Sequence, residues 1–177
     1  MRGKTSPQKT PFEAAVAMLS RRSYSVAELR RALERKFRDS ADIPDVLARL
    51  RQLGYLDDSK FAEAYASSLA RVRNFGRHRV RRELKSKLVD YRVIDGAVDN
   101  AFASVSEREL LERAVDKKIR TLRKPMTRAR LASLCQGLIR RGFRADDIMK
   151  TIRSRPELRC DSEDMRSADL EEQERKD

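Results

Sequence analysis

Leu, Val, Ile and Ala recur three and four residues apart along most of this chain, the spacing of helices with one buried face. Phe12, Ala15, Val16 and Leu19 predict a first helix, broken at Ser23-Tyr24-Ser25. Ser25 followed three residues later by Glu28 reads as a capping box, each side chain satisfying the other's free backbone amide, and Leu29, Leu33 and Phe37 then line a second helix. After the polar break of 38–42, a third stripe follows: Ile43, Val46, Leu47, Leu50 and Leu53. Pro44 is tolerable in its first turn, and Gly54 supplies the left-handed residue that stops it.

The plan then repeats. Phe61, Tyr65, Leu69 and Val72 mark one helix, Val80, Leu84 and Leu88 a second, Ile94, Val98 and Phe102 a third. A shift of 51 residues carries Leu29 to Val80, Leu33 to Leu84, Phe37 to Leu88, Ile43 to Ile94 and Leu47 to Val98. A further shift of 54 carries Val80 to Leu134, Leu84 to Leu138, Ile94 to Ile148 and Val98 to Ile152, with Phe61 and Tyr65 falling on Val115 and Ile119. The expected fold is all-α, an elongated array of three tandem three-helix repeats, because one such module buries too little surface to stand alone. The expected boundaries are a flexible basic leader at 1–11, repeats at 12–56, 57–105 and 106–156, and an acidic tail at 157–177.

Charge adds the first hint of a partner. The net charge is +13, and the tail from Asp161 to Asp177 holds eight acidic against three basic residues, so residues 1–160 carry +18. Such an excess points to an anionic partner, nucleic acid first and an acidic protein surface or membrane after it. No apolar run reaches the roughly 18 residues of a membrane span, and the start lacks the apolar core of a signal peptide, so the expectation is a cytoplasmic protein without membrane contact. Cys135 and Cys160 are too few and too far apart for a disulfide framework or a metal site, and read as a buried thiol and a tail thiol.

The basic residues concentrate between 71 and 87. Arg71, Arg73, Arg77, Arg79, Arg81, Arg82, Lys85 and Lys87 stand against Glu83 alone. With Val80, Leu84 and Leu88 turned inward, His78, Arg79, Arg81, Arg82 and Lys85 are expected to point outward, where Arg can grip phosphates with its planar fork. Like charges one turn apart, as at Arg77/Arg81 and Arg81/Lys85, repel; an anionic partner explains them better than a merely solvated face. Secondary patches recur at Arg21-Arg22, Arg30-Arg31 and Arg140-Arg141, equally consistent with a longer basic surface or with ordinary helix-forming surface residues.

Just before the basic segment, Gly54, Tyr55, Leu56, Asp57, Asp58 and Phe61 read as the junction between the first two repeats. Asp57 and Asp58 resemble a metal pair, but carboxylates at a helix start cap orphan amides. The sequence offers no catalytic constellation and calls for no cofactor or metal. His78 is the one histidine, and no phosphate-binding glycine loop or nucleophile elbow is present. Aromatic residues are too scarce for a base-stacking platform. Helix-turn-helix readers remain an alternative, although no dimerisation segment accompanies them and a monomer is expected.

GYLDDSKF at 54–61, preceded by SVAELRRAL at 25–33 and followed by FGRHRVRRELKSKLV at 75–89, resembles the RecX family of regulators of the RecA recombinase. RRGF at 140–143 with Asp147-Ile148 looks like that family's third repeat, so the resemblance covers about residues 12–153. It implies tandem three-helix repeats, binding to RecA and chiefly to the RecA–DNA filament, weaker direct binding to DNA, and inhibition of ATP hydrolysis, strand exchange and coprotease activity. Two departures stand out: LERKF where the family's first unit ends in Lys/Arg-Gly-Phe, and the acidic tail after Arg159.

Overall fold

The computed structural model describes residues 10–38, 40–121 and 126–159. Among these residues there are nine α-helices, one 3-10 turn and no strand. The helices are α1 (Pro11–Leu19), α2 (Val26–Lys36), α3 (Ile43–Gln52), α4 (Asp58–Arg71), α5 (Arg77–Ser86), α6 (Tyr91–Ala103), α7 (Glu107–Arg120), α8 (Arg128–Arg140) and α9 (Ala145–Arg153), with the 3-10 turn at Pro156–Leu158. They form three triplets in the same order. The residues paired by the 51-residue shift are buried together at Leu29/Val80, Leu33/Leu84, Ile43/Ile94 and Leu47/Val98, and the 54-residue shift adds Leu134, Leu138, Ile148 and Ile152 to the same positions.

The chain packs as two compact units. One comprises the described residues up to Ser68 with Arg81–Ala101, the other Leu69–Val80 with the described residues from Phe102 onward. In the first, Ala14 and Ala15 of α1, Leu29 and Leu33 of α2, and Leu47 and Leu50 of α3 meet Leu56 in one cluster. In the second, Leu110, Leu111 and Val115 of α7, Leu134 and Leu138 of α8, Ile148 and Ile152 of α9, and Leu158 are buried. At about 1.5–3 kcal/mol for each large side chain taken out of water, these stripes hold the helices in place.

The folded part is longer at both ends than periodicity suggests. Thr10 and Glu13 form a complete capping box, Thr10 Oγ1 accepting from the Glu13 amide at 3.2 Å and Glu13 Oε2 from the Thr10 amide at 3.0 Å, with Pro11 in the first turn. At the far end Leu158 is buried beneath the 3-10 turn. Cys160 and the acidic stretch 161–177 lie outside the described residues.

Four apolar residues expected inside behave otherwise. Val16, within α1, is 39% exposed. Leu53 and Val72 are 53% and 73% exposed, because each follows the last residue of its helix, where the chain turns off the buried stripe. Leu88 also lies past the end of its helix, at φ +60°, and Val89 takes the buried position instead. The thiol of Cys135 is half-buried rather than enclosed.

Candidate nucleic-acid interface

The basic segment stands on helix ends that are held by other repeats. In the first unit, Asp57 caps its own helix, its Oδ1 accepting from the amides of Ser59 (2.9 Å) and Lys60 (3.0 Å). The Lys60 amide, with that of Ser59 after it, holds this carboxyl below the usual aspartate range. Asp58 works on a different helix: its Oδ1 accepts from the amide of Val26, the first residue of α2, at 2.9 Å. Both carboxylates therefore serve helix amides.

Gly54, at φ +76°, ends α3 in a Schellman motif, with the Tyr55 amide donating to the Leu50 carbonyl and the Gly54 amide to that of Arg51, both at 2.9 Å. Leu56 and Phe61 are buried, Phe61 stacking on Tyr65 at 5.6 Å. Tyr55 is exposed and takes no part in that packing.

Ser25 is fully buried, its hydroxyl accepting from the Glu28 amide at 3.1 Å and donating to the carbonyl of Lys87, just past the end of α5. Only half of the expected capping box exists, because the Glu28 carboxylate turns away from the Ser25 amide. It accepts instead from Arg22 and from the Lys87 ammonium, each at 3.1 Å. Burial works to raise the Glu28 carboxyl, but the hydrogen bonds from Arg22 and Lys87 outweigh it and hold the group below the usual glutamate range.

The second unit uses the same joint. Glu107, first in α7 as Asp58 is first in α4, accepts the amide of Arg77, the first residue of α5, at 2.9 Å. Where the Ser25 hydroxyl meets the Lys87 carbonyl, the Gly76 amide meets the Arg141 carbonyl at 2.9 Å. Gly142, at φ +94°, closes α8 as Leu88 closes α5. A Cβ on Gly76 would lie 2.5 Å from the Gly142 carbonyl oxygen, so the close approach requires glycine.

These joints sort the basic residues. The Arg77 guanidinium lies 3.6 Å from Glu107 and over the Phe102 ring, Arg79 sits half-buried over Phe75, and Arg81 pairs with Asp95 at 2.8 Å. The expectation that Arg79 and Arg81 point outward fails because each, on its own side of the helix, is half-buried against a neighbour, Arg79 on Phe75 and Arg81 on Asp95. Arg82 and Lys85, three residues apart on α5 within the first unit, are exposed and form a short solvent-facing stripe; His78, in the second unit, is exposed as well. Arg71 and Arg73 are exposed at and just beyond the end of α4, Arg71 hydrogen-bonding Ser104 at 2.7 Å.

Among the secondary patches, Arg21, Arg30, Arg31 and Arg140 are exposed and Arg141 half-buried. Arg22 is committed to Glu28 and to the face of Tyr24, 3.5 Å from the ring centre. Sequence reasoning passed over Glu107 altogether, and over Asp58 as a cap for α2. The signal was available: each is an acidic residue standing first in the opening helix of its repeat. It also left out Arg35 on α2 and Arg38 two residues past its end, both exposed as Arg31 is.

No described helix is long and apolar enough to cross a membrane. Among the described residues, no group of three or more His, Cys, Asp or Glu side chains is placed to hold a metal.

Two family models match the chain, the first three-helix domain of RecX over residues 12–50 and the second three-helix domain of RecX over residues 57–98. The regulatory protein RecX of Chlorobaculum tepidum is 32% identical over 146 residues, covering 82% of this chain and 88% of that protein. That of Haemophilus influenzae is 29% identical, covering 80% and 91%. In fold the chain is similar to a crystal structure of regulatory protein RecX, with a TM-score of 0.66 at 22% identity over 79% of this chain and 70% of that one. It is also similar to RecX from Lactobacillus salivarius, with a TM-score of 0.61 at 20% identity, covering 81% and 93%.

Proposed function

Because the chain belongs to the RecX family, a family of regulatory proteins, we propose that it binds the RecA recombinase and the filament RecA forms on DNA. It acts there by occupancy, restraining ATP hydrolysis, strand exchange and coprotease activity without chemistry of its own. The three repeats, at 12–56, 57–105 and 106–156, act as linked modules whose modest individual affinities combine.

The observation that carries this reading is the stripe of Arg82 and Lys85. Its cations face solvent on a helix whose two ends are fixed by hydrogen bonds, so they are presented in order rather than on a flexible loop. Such a stripe can lie against a phosphate backbone, displacing counterions, with no base-reading residues required. Exposed Arg71 and Arg73 are further candidate phosphate contacts, on the second unit.

Binding of the chain to bare single-stranded DNA, to free RecA and to the RecA–DNA filament tests the proposal. The expected result is preference for the filament. Equal affinity for bare DNA would identify a general DNA-binding protein, and binding to free RecA alone a protein scaffold. Arg82→Glu with Lys85→Glu should weaken filament binding and flatten its salt dependence, by roughly 0.7–0.9 in log–log slope for each phosphate no longer neutralised. Unchanged binding by this variant would remove α5 from the interface. Arg79 and Arg81 are left intact, since their packing supports the fold.

A further inference from the structure

A groove of about 730 Å³ runs beside α2 within the first unit. Its half-buried floor is apolar, made by Met18 at the end of α1, Ala32 of α2 and Leu88 past the end of α5. Its rim is a row of exposed arginines, Arg31, Arg35 and Arg38, spaced four and three residues apart. Among the described residues none of these three forms an ion pair, unlike Arg22, which also lines the groove and is held by Glu28. The Glu28 charge is met by both Arg22 and Lys87, which leaves Glu34 as the one carboxylate opposing the row.

We infer that this groove binds an acidic polypeptide segment with apolar side chains interspersed among its carboxylates. Arg31 and Arg35, one helical turn apart on α2, with Arg38 two residues past its end, match a run of carboxylates, each able to accept a forked hydrogen bond. The floor selects polypeptide over nucleic acid. A sugar–phosphate strand has no apolar side chain to fill it, and its bases would need an aromatic face to stack on. The aromatic ring at hand, Tyr24, is covered by the Arg22 guanidinium at 3.5 Å. The groove borders the last turn of α5 through Ser86 but is lined by neither Arg82 nor Lys85, and it goes beyond the filament reading, which concerns phosphates.

The test measures binding of the full chain to three fluorescent probes of equal charge: an acidic peptide containing leucines, an oligoglutamate and a single-stranded oligonucleotide. The leucine-containing peptide should bind at least about tenfold more tightly than oligoglutamate. The Arg31→Glu, Arg35→Glu, Arg38→Glu variant should lose that binding while keeping its affinity for the oligonucleotide. Met18→Ser should weaken the peptide alone, with circular dichroism confirming that both variants fold.

Equal binding of the two acidic peptides would overturn the inference by showing charge attraction without a site. Loss of oligonucleotide binding in the triple-arginine variant would overturn it too, making the groove part of a nucleic-acid track. The Arg82→Glu, Lys85→Glu variant should keep the preference for the leucine-containing peptide over oligoglutamate, so failure of the filament reading and failure of this one are told apart.

Discussion

Replacing Gly142 with alanine should destabilise the unit that contains it by about 3–4 kcal/mol. Two costs combine. An L side chain in the left-handed region costs roughly 1–2 kcal/mol, and Gly142 holds φ +94°. The added Cβ would also overlap the backbone nitrogen of Arg79 and lie 2.5 Å from its Cβ, atoms that cannot swing aside as a flexible side-chain end can. The joint must open, and it would give up the Gly76 amide to Arg141 carbonyl bond at 2.9 Å and the His78 amide to Gly142 carbonyl bond at 3.3 Å, at about 1 kcal/mol each. At this chain length each kcal/mol moves the melting temperature by about 2–4 °C, so calorimetry should show a transition lowered by roughly 10 °C. Gly96→Ala is the control. It lies within α6 with nothing within 4 Å of an added Cβ, and should stabilise by about 0.5–1 kcal/mol. A Gly142→Ala melt within about 2 °C of the parent, by the scale above, would refute the close-packed joint.

Other joints make further predictions. Glu28→Gln should cost about 1–2 kcal/mol in urea denaturation at neutral pH, since it weakens two charge-assisted contacts at a half-buried site. The Glu28 carboxyl is held below its ordinary value, so its contribution is full above the usual glutamate range and is lost as pH falls through the lowered folded value. The difference between parent and variant should therefore shrink on acidification; a constant difference from neutral to strongly acid pH would show that charge is not the cause. Asp58→Ala and Glu107→Ala should each cost about 1 kcal/mol by uncapping α2 and α5, and hydrogen exchange should speed up at the Val26 and Arg77 amides rather than along α4 or α7.

The helices and their threefold order could be read directly because the repeating apolar positions are the buried ones. Local spacing carries that information. Leu53, Val72 and Leu88 broke the pattern at helix ends, where the backbone leaves helical geometry and the face of a residue no longer follows from its number. Asp58 was legible as a cap but not the helix it caps, since Val26 is 32 residues away. The candidate interface suffered similarly. Charge alone could not separate Arg82 from Arg81, whose side chain is spent on Asp95, fourteen residues along the chain.

The joint between Ser25 and Lys87 also sets an order of events when the chain is made. The buried Ser25 hydroxyl has its partner 62 residues downstream. At a synthesis rate of about 5–20 residues per second, the first repeat would wait roughly 3–12 s between appearance of its second helix and arrival of the carbonyl that completes its start. Until then α2 has its apolar stripe but an unfinished end. Completion of the first unit is timed by the emergence of the second repeat, and a ribosome stalled before Lys87 would leave the Ser25 hydroxyl without that partner.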